Sequence, residues 1–392
     1  MTAFFADWAN LLIRWAHLIA GISWIGTSFY FMALDASLRK RDGLPENVYG
    51  SAWEVHGGGF YHVQKYTSAP KDLPPDLIWF KWEAYLTWIT GFGLLISQYY
   101  LNASLYLVDP GKFAITSFDA IALSLASLLA GWLLYDGLCK SPLAKKPEYL
   151  GITLLIIITA AAWGFGQVFS GRGALIHVGA FIGTIMAANV FAVIIPNQRK
   201  ITASLMKGQT PDPELGRIGK LRSTHNSYLT LPVLILMVSN HYPMLTGHPQ
   251  AWALIGLIVM GGAAARHFLL RHEVGDEFAK ISWTLPVIAI CLMAALFLTW
   301  PKSQSNQGPA VSDAQALAIT QKHCVMCHAQ KPTHEGFSEA PKGVWLETTE
   351  ELARYASLIK AQAVMSEIMP LGNETAMTAQ ERATLGRWID AQ

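Results

Sequence analysis

The chain has 392 residues, of which 52% are apolar and only 14% are charged. This composition excludes an ordinary soluble globular protein, in which about 25% of residues are charged. The formal net charge of +2 gives no reason to expect a nucleic-acid partner. The apolar residues fall in eight blocks of membrane-spanning length, and we therefore predict a protein of the lipid bilayer. The blocks cover residues 9–34, 78–101, 118–138, 149–169, 174–195, 225–242, 250–270 and 282–300.

The distribution of basic residues predicts the orientation of the eight blocks. Most Lys and Arg residues lie in the loops after blocks one, three, five and seven. The loops after blocks two, four and six contain only Lys112 and Arg172. Because Lys and Arg favour the cytoplasmic side, both the N-terminus and the segment after block eight are predicted to lie outside. Asp7 precedes the first block and Arg39-Lys40-Arg41 follows it, so we do not interpret this block as a cleavable signal peptide.

A motif of a different kind follows the last block, at Cys324-Val325-Met326-Cys327-His328. C-x-x-C-H is the attachment sequence of c-type haem, in which the thiols bind the haem and the histidine ligates the iron. A C-x-x-C pair also occurs in zinc sites and in redox-active dithiols. The other cysteines, Cys139 and Cys291, lie far upstream in apolar surroundings, and a redox dithiol does not need the histidine. Haem c is therefore the preferred interpretation.

The sequence around this motif predicts a small helical domain over residues 313–392. Ser312 with Gln315, and Thr378 with Glu381, have the spacing of helix capping boxes. Residues 301–312 are polar, and we predict that they form a flexible linker to a membrane domain of residues 1–300. The predicted fold is all-α, with an eight-helix transmembrane bundle followed by this small domain.

Three methionines follow the motif, and a thioether is a suitable sixth ligand for haem iron. Met369 precedes a proline, which disfavours helix at Met369 and predicts a loop that reaches the haem face. Met365 lies in a predicted helix and is expected in the core, and Met377 lies next to a helix cap. We predict Met369 as the ligand, and we expect His323 and His334 to be solvated. The C-x-x-C-H motif and the stretch Met369-Pro-Leu-Gly-Asn resemble class I cytochromes c.

Ionisable and amide side chains near the apolar blocks are candidate site residues, because such groups are costly in a membrane and usually face an interior or a cavity. Arg14, His17 and His177 lie toward the predicted outer side, and Trp24 lies two turns after His17 on the same helix face. The candidates toward the predicted cytoplasmic side are Glu83, Gln198, Arg222, His225, Asn226, Arg266 and His267, together with His56 and His62 in the loop after block one. A packed or interfacial role is the alternative for each of them.

Four stretches of the membrane domain are similar to the membrane-bound urate hydroxylase family. They are RWAHLIAGISWIGTSFY at 14–30, WEVHGGGFY at 53–61, IPNQ at 195–198 and STHNSY at 223–228. The resemblance extends to the whole chain, because those proteins fuse an eight-helix membrane domain to a C-terminal cytochrome c. It implies oxidation of urate to 5-hydroxyisourate, with oxygen from water and electrons leaving through the cytochrome to a downstream cytochrome or terminal oxidase. It also implies a multi-pass protein of the bacterial inner membrane, with the N-terminus and the cytochrome domain in the periplasm.

The resemblance also suggests roles for the candidate residues. Urate is a planar monoanion, so its site needs a cation and polar groups along the ring edges. We expect the charge from Arg222 or Arg266, the edge contacts from Asn226 and Gln198, and proton abstraction by His225 or, as second choice, Glu83.

The spacing of His17 and Trp24 further resembles the first helix of small membrane proteins that bind haem b. It implies a second haem with His17 and His177 as ligands, which would relay electrons if urate binds on the cytoplasmic side. If urate binds near Arg14 and His17, no relay is needed. Two other functions stay open. The first is a non-catalytic electron-transfer subunit that accepts electrons from quinol or another donor, and the second is a transporter with a redox gate.

Overall fold

The structure, a computed structural model, describes residues 2–300 and 309–392. Most of the predicted linker, residues 301–308, lies outside the described residues. One extended apolar core lies within residues 2–300 and a second, separate core within residues 309–392. We refer to these two parts as the N-terminal and the C-terminal domain.

Helices make up most of the N-terminal domain. They are α1 (Thr2–Ser37), α2 (Trp82–Leu95), α3 (Ala103–Tyr106), α4 (Ser117–Lys140), α5 (Pro147–Val168), α6 (Gly171–Ala188), α7 (Ile195–Met206), α8 (Pro213–Val238), α9 (Pro243–Thr246), α10 (Ala251–Glu273), α11 (Phe278–Ile281) and α12 (Thr284–Leu298). Segments of π-helix extend α2 through Ile96–Tyr100 and join α6 to α7 through Asn189–Ile194. Single 3₁₀ turns follow α4 at Pro142–Lys145 and α8 at Ser239–His241.

Within the described residues, six helical stretches are long and apolar enough to cross a membrane. They are Phe4–Ser37, Ser117–Lys140, Pro147–Val168, Gly171–Met206, Ala251–Glu273 and Phe278–Leu298. The predicted count of eight is not confirmed, because blocks two and six are not among them. The α-helical part of block two is only 14 residues long. Block six belongs to α8, whose first three turns carry Glu214, Arg217, Lys220 and Arg222.

A β-hairpin corrects the predicted all-α class. Strand β1 (Val48–His56) pairs antiparallel with strand β2 (Gly59–Tyr66). The two residues between the strands, Gly57 and Gly58, have φ values of 58° and 78°. A type I′ turn requires positive φ at both positions, which glycine adopts without strain.

The centre of the bundle is α6, which packs against α2, α4, α5 and α8. Its side chains Val178 and Ile182 are fully buried. Gly131 of α4 allows the Phe181 ring to approach, since a Cβ at Gly131 would lie 2.0 Å from Phe181 Cε2. In contrast, most apolar side chains of α1 are exposed, as expected for a helix at the lipid-facing edge.

The C-terminal domain is a small cluster of short helices. They are α13 (Asp313–His323), α14 (Thr349–Arg354), α15 (Ala356–Ile359) and α16 (Ala379–Asp390), with a π-helical turn at Lys360–Val364 and 3₁₀ turns at Pro341–Gly343 and Leu371–Asn373. Both predicted capping boxes are present, at Ser312 before α13 and at Thr378 before α16. The buried indole of Trp388 donates to Asp313 Oδ1 at 2.8 Å and so joins the last helix to the first.

The C-terminal domain packs against one end of the bundle, which we call the upper end. A Cβ added at Gly247 would lie 2.4 Å from Ser366 Cβ, so the two domains are in backbone contact there. A Cβ added at Gly372 would lie 3.0 Å from the Val108 carbonyl oxygen. These two contacts lie on either side of Met369 in the sequence, and they fix the loop that carries it against the bundle.

Candidate functional site

The C-x-x-C-H motif forms a tight turn at the end of α13. The backbone N–H groups of Cys327 and His328 both donate to the Cys324 carbonyl, at 3.1 and 2.8 Å. This turn brings the side chains of Cys324, Cys327 and His328 to the wall of a single cavity.

The His328 ring is oriented as a metal ligand would be. Its Nδ1 lies 3.0 Å from the Val344 carbonyl oxygen. Because a carbonyl only accepts, Nδ1 carries the proton and Nε2 keeps its lone pair. Metal-ligating histidines usually donate their other ring N–H in this way. The geometry therefore fits His328 as an axial ligand of haem iron.

Met369 lies on the same cavity, in a loop fixed by hydrogen bonds. Its N–H donates to the Gln362 carbonyl at 2.9 Å. Its carbonyl accepts from Arg382 Nη1 at 2.6 Å, and the same nitrogen donates to the Ala363 carbonyl at 2.7 Å. Arg382 is buried, so the loop is held from inside the domain. This arrangement fits Met369 as the second axial ligand.

The two thiols of the motif differ from those of a redox-active dithiol. Burial raises the pKa of Cys324 to about 12, and it also raises the pKa of Cys327. Both thiols are therefore protonated in the folded chain, whereas reactive dithiols depend on a lowered pKa. Cys139 and Cys291 are buried in α4 and α12. The environment of Cys324 and Cys327 suits thiols that form thioether bonds to a haem.

The crevice of the C-terminal domain continues into the bundle as one cavity of about 840 Å³. Cavities of 300–1,000 Å³ are typical of small-molecule and cofactor sites. The N-terminal domain contributes the aromatic side chains Trp24, Trp88, Phe92, Tyr99 and Tyr106 to its wall, and the polar side chains Arg14, His17, Gln98, Arg172, Asn226, Asn240 and His241. A ligand in the bundle and a haem in the crevice would thus share one enclosed space.

His17 presents a ring nitrogen to this cavity. Its Nδ1 lies 3.0 Å from the Thr87 carbonyl oxygen, so Nδ1 is the protonated nitrogen and Nε2 keeps its lone pair. The ring packs closely against α2, where a Cβ at Gly91 would lie 2.8 Å from His17 Cε1. Trp24 lines the same cavity, as its position on the His17 face predicts.

At the opposite, lower end of the bundle, Arg222 lies in a buried polar network, although its Nε has no hydrogen-bond partner among the described residues. Its guanidinium is almost fully buried and pairs with Asp136 at 2.6 Å. It also donates to Asn189 Oδ1 at 3.2 Å, and Asn189 Nδ2 donates to Asn226 Oδ1 at 2.9 Å. Asp136 is thus the ion-pair partner of Arg222, and it also pairs with the exposed Lys140 at 2.5 Å.

His225 belongs to the same network. Tyr135 accepts a hydrogen bond from Asn189 Nδ2 at 3.0 Å, so its own O–H is free to donate to His225 Nδ1 at 2.8 Å. Neither Arg222 nor His225 lines the cavity, whereas the neighbouring Asn226 does. The network therefore positions Asn226 at the cavity wall.

The family of the N-terminal domain is shown by comparison with known families. The model of the family "Urate oxidase N-terminal" matches residues 3–299. The chain belongs to the urate oxidase N-terminal family. The match ends before the predicted linker, so it concerns the bundle and not the C-terminal domain. It supports a urate-related oxidoreductase, and the apolar helices support a membrane protein. The curated proteins and the solved structures give no match.

Within the urate oxidase N-terminal domain, four predicted site residues lie away from the cavity. Arg266 is buried, with its guanidinium 3.7 Å from the centre of the Phe29 ring and its Nε 2.9 Å from Ser227 Oγ. His267 Nδ1 lies 2.7 Å from the Tyr228 hydroxyl. Glu83 is half-buried and Gln198 is exposed.

The histidines of the hairpin are also separate from the cavity. His56 is exposed at the end of β1, and His62 stacks on Trp53 across the two strands with ring centres 4.2 Å apart. His177 is fully buried, and both of its ring nitrogens are engaged, with Ser124 Oγ and with the Gly173 carbonyl, each at 2.7 Å. The structure therefore brings only Arg14, His17 and Asn226 of the predicted membrane-domain candidates to the cavity of the urate oxidase N-terminal domain.

Three expectations about the C-terminal domain were wrong. Met365, expected in the core, is 53% exposed, because the helix around it ends at the π-helical turn. His323, expected to be solvated, is buried and bonded to Thr375 Oγ1 at 2.7 Å. His334 is also largely covered and lies 3.0 Å from Glu374.

Other cavity residues of this family member were missed by sequence reasoning. Arg172 lies in a Gly-rich stretch at the start of α6. In the sequence its charge was interpreted only as an indicator of topology. Tyr99 and Asn240 lie at the ends of α2 and α8, where tyrosine and asparagine are common. The contact between them, with Asn240 Nδ2 2.5 Å from the Tyr99 hydroxyl, joins positions 141 residues apart.

Proposed function

We propose that the chain is a urate hydroxylase that oxidises urate to 5-hydroxyisourate and passes the electrons to its own C-terminal cytochrome c domain. One observation carries this proposal: a domain of the urate oxidase family and a C-x-x-C-H crevice open into the same cavity. From the cytochrome, electrons would pass to a downstream cytochrome or a terminal oxidase.

The reaction defines what the cavity must do. Urate and one water molecule give 5-hydroxyisourate, two protons and two electrons. Haem c, when bound, supplies a one-electron acceptor. The protein must therefore hold the urate anion during two successive electron transfers, admit one water and accept two protons.

In this proposal Cys324 and Cys327 would hold the haem covalently, and His328 and Met369 would ligate its iron. Arg382 acts as a positioning residue, because it holds the backbone of the Met369 loop. A thioether ligand raises the haem potential, which favours electron acceptance from a substrate.

The lower network contributes to the site through Asn226. We propose that Arg222 and His225 are positioning residues for Asn226 rather than direct contacts of urate. The variant His225→Ala separates this role from that of a base. Loss of a base lowers kcat. Loss of a residue that only positions a substrate contact raises KM more than it lowers kcat. Loss of kcat alone, with KM and haem c content unchanged, would identify His225 as the base instead.

We also propose a haem b at His17. The support is the free Nε2, the hydrogen bond from Nδ1 to the Thr87 carbonyl, and the aromatic lining of the cavity. His177 is not part of this proposal, because both of its ring nitrogens are engaged. A pyridine haemochrome spectrum counts b-type and c-type haem in one sample. A c-type signal alone, in protein purified with haem available, would refute the haem b.

The orientation is a further part of the proposal. We place the chain in the bacterial inner membrane with the N-terminus and the C-terminal domain in the periplasm, and with α2 and α8 as two additional crossings. The distribution of Lys and Arg supports it. Protease added to spheroplasts should then release the C-terminal domain, whereas protease added to inverted vesicles should not.

The alternative is a non-catalytic electron-transfer subunit fed by quinol or another donor. Turnover of the purified chain in ¹⁸O-labelled water, with ferricyanide as acceptor, tests the two functions. The hydroxylase incorporates one labelled oxygen into 5-hydroxyisourate. A variant with both Cys324→Ala and Cys327→Ala, which cannot hold the haem, is the control. An electron-transfer subunit gives no product without its partner.

A further inference from the structure

The charge balance of the cavity indicates the chemical class of its ligand. The fixed positive charges on its wall are Arg14, Arg172 and Lys342. The only carboxylate on the described part of its wall is Glu374, which lies 3.0 Å from His334. The cavity therefore favours an anionic ligand. Its excess positive charge comes from these three side chains and not from the buried network around Arg222 at the lower end.

Two polar atoms that the bundle contributes to the upper end of the cavity have no partner. Arg172 Nε and Asn240 Oδ1 are both buried, and neither has a hydrogen-bond partner among the described residues. Leaving a buried polar group unpaired is costly, and such atoms in a cavity are typically satisfied by a ligand or by water. Both side chains line the cavity.

The two atoms differ in chemistry. Arg172 Nε is a cationic donor, whereas Asn240 Oδ1 is an acceptor. Tyr99 lies beside Asn240, and its hydroxyl accepts from Asn240 Nδ2 at 2.5 Å and so keeps its own proton for donation. A carboxylate, such as a haem propionate, would satisfy Arg172 and Tyr99 but could not donate to Asn240. A ligand with an anionic oxygen beside a ring N–H would satisfy all three.

We propose that the upper end of the cavity is the binding site of the oxopurine anion, with Arg172 as its counterion and Asn240 and Tyr99 along its imide edge. This inference rests on the proposed function and gives it a location. Tyr106 also lines this end, with its ring 6.4 Å from that of Tyr99, and offers an aromatic face. Urate bound at this end lies in the part of the cavity nearest the C-terminal domain, so its electrons need no relay across the membrane.

The test is urate binding without turnover. The full-length haem-loaded protein is reduced with dithionite, so that urate binds without being oxidised, and binding is measured by titration calorimetry. Arg172→Gln should weaken urate binding by about tenfold to 100-fold, the effect of removing one charge-assisted hydrogen bond. Arg172→Lys keeps the charge and should recover part of the loss. Arg217→Gln is the matched control, because Arg217 is exposed and pairs only with Glu214.

Asn240→Asp provides a second test that does not alter side-chain volume. It places a negative charge beside the bound anion and should weaken urate binding at least as much as Arg172→Gln. The haem spectrum and the rate of haem reduction by ascorbate should stay unchanged in both variants. If Arg172→Gln and Asn240→Asp bind urate as the wild type does, the assignment of the site is wrong.

Two further outcomes separate this inference from the proposed function. If Arg172→Gln loses haem but the remaining protein binds urate normally, Arg172 is the partner of a haem propionate, and the substrate site lies elsewhere. If the wild-type protein neither binds urate nor is reduced by it, the proposed function itself fails. Binding of urate by the wild type, together with loss of binding in the two variants, would support the assignment of this site and also the proposed function.

Discussion

The close contact at Gly247 gives a prediction about how the two domains work together. In the variant Gly247→Ala the new Cβ would lie 2.4 Å from Ser366 Cβ and 2.9 Å from the backbone nitrogen of Glu367. Carbon atoms pack at about 3.5–4.0 Å, so the loop of the C-terminal domain must move away by about an ångström. Overpacking of this kind costs about 1–3 kcal/mol. If this cost falls on the contact between the domains, the equilibrium constant for docking of the C-terminal domain on the bundle falls by about 5-fold to 150-fold.

The expected result is slower electron transfer from the bundle with an intact cytochrome. In a stopped-flow experiment, reduction of haem c by urate should slow in Gly247→Ala, whereas reduction by ascorbate, which reaches the haem from solvent, should not. Gly164→Ala is the matched control, because a Cβ at Gly164 meets nothing within 4 Å. Equal rates of urate-driven reduction in Gly247→Ala and wild type would show that the docked arrangement is not the one that transfers electrons.

Three further predictions concern charged side chains. Arg382→Met removes two hydrogen bonds to backbone carbonyls, one of them to Met369, each worth about 1.5–3 kcal/mol for a charged donor. If Met369 ligates the haem iron as proposed, Arg382→Met should weaken that bond and lower the haem potential while covalent haem is kept. Glu381 has a pKa held below its ordinary value by Lys322 and by the hydrogen bonds of its helix cap. A lowered folded-state pKa stabilises the fold above about pH 4.3 and loses this effect as pH falls, so Glu381→Gln should destabilise the domain at neutral pH and much less in acid. Arg222→Met removes the buried partner of Asp136, which keeps only its pair with the exposed Lys140, and should cost about 1–3 kcal/mol in stability.

Each of these predictions has a control. Arg354→Met changes an exposed arginine of the same domain, and a potential shifted equally by Arg354→Met and Arg382→Met would remove the special role of Arg382. For Glu381, acid unfolding is followed through the c-type absorption band of the full-length chain. A difference in stability from wild type that grows as pH falls would contradict the expected direction of the effect. For Arg222, the double variant with Asp136→Leu should recover stability. Urate binding lost in that folded double variant would instead place Arg222 in the substrate site.

The sequence predicted the features that depend on neighbouring residues. The capping boxes at Ser312 and Thr378 are set by side chains three positions apart, and both were predicted correctly. The long apolar runs predicted eight helices of spanning length, and six of these are long and apolar enough in the structure. The hairpin was missed, although the Gly57-Gly58 pair is a recognised hairpin signal. The histidines on either side of the glycines left a ligand site and a packed turn both open, and no strands were predicted around them.

The candidate site depends on contacts between distant positions, and these could not be read from the sequence. Arg222 and Arg172 are both arginines near the end of a helix. Both have a buried Nε without a hydrogen-bond partner among the described residues, and only the structure shows that Arg222 pairs with Asp136 away from the cavity whereas Arg172 lines it. Likewise, nothing local to His323 predicts its burial, which results from the packing of α13 against α16. The sequence left the side of the urate site open, because it lists polar residues at both ends, whereas the structure shows which of them line the cavity.

A difference spectrum of the purified protein under anaerobic conditions decides whether urate is its electron donor. The protein is first oxidised, urate alone is then added, and the haem bands are recorded. We expect a reduced c-type band, with two electrons recovered in the haem bands for each 5-hydroxyisourate formed, because each haem takes one electron. If urate leaves the oxidised spectrum unchanged while dithionite reduces the c-type band normally, urate is not the electron donor of this protein and the proposed function is contradicted.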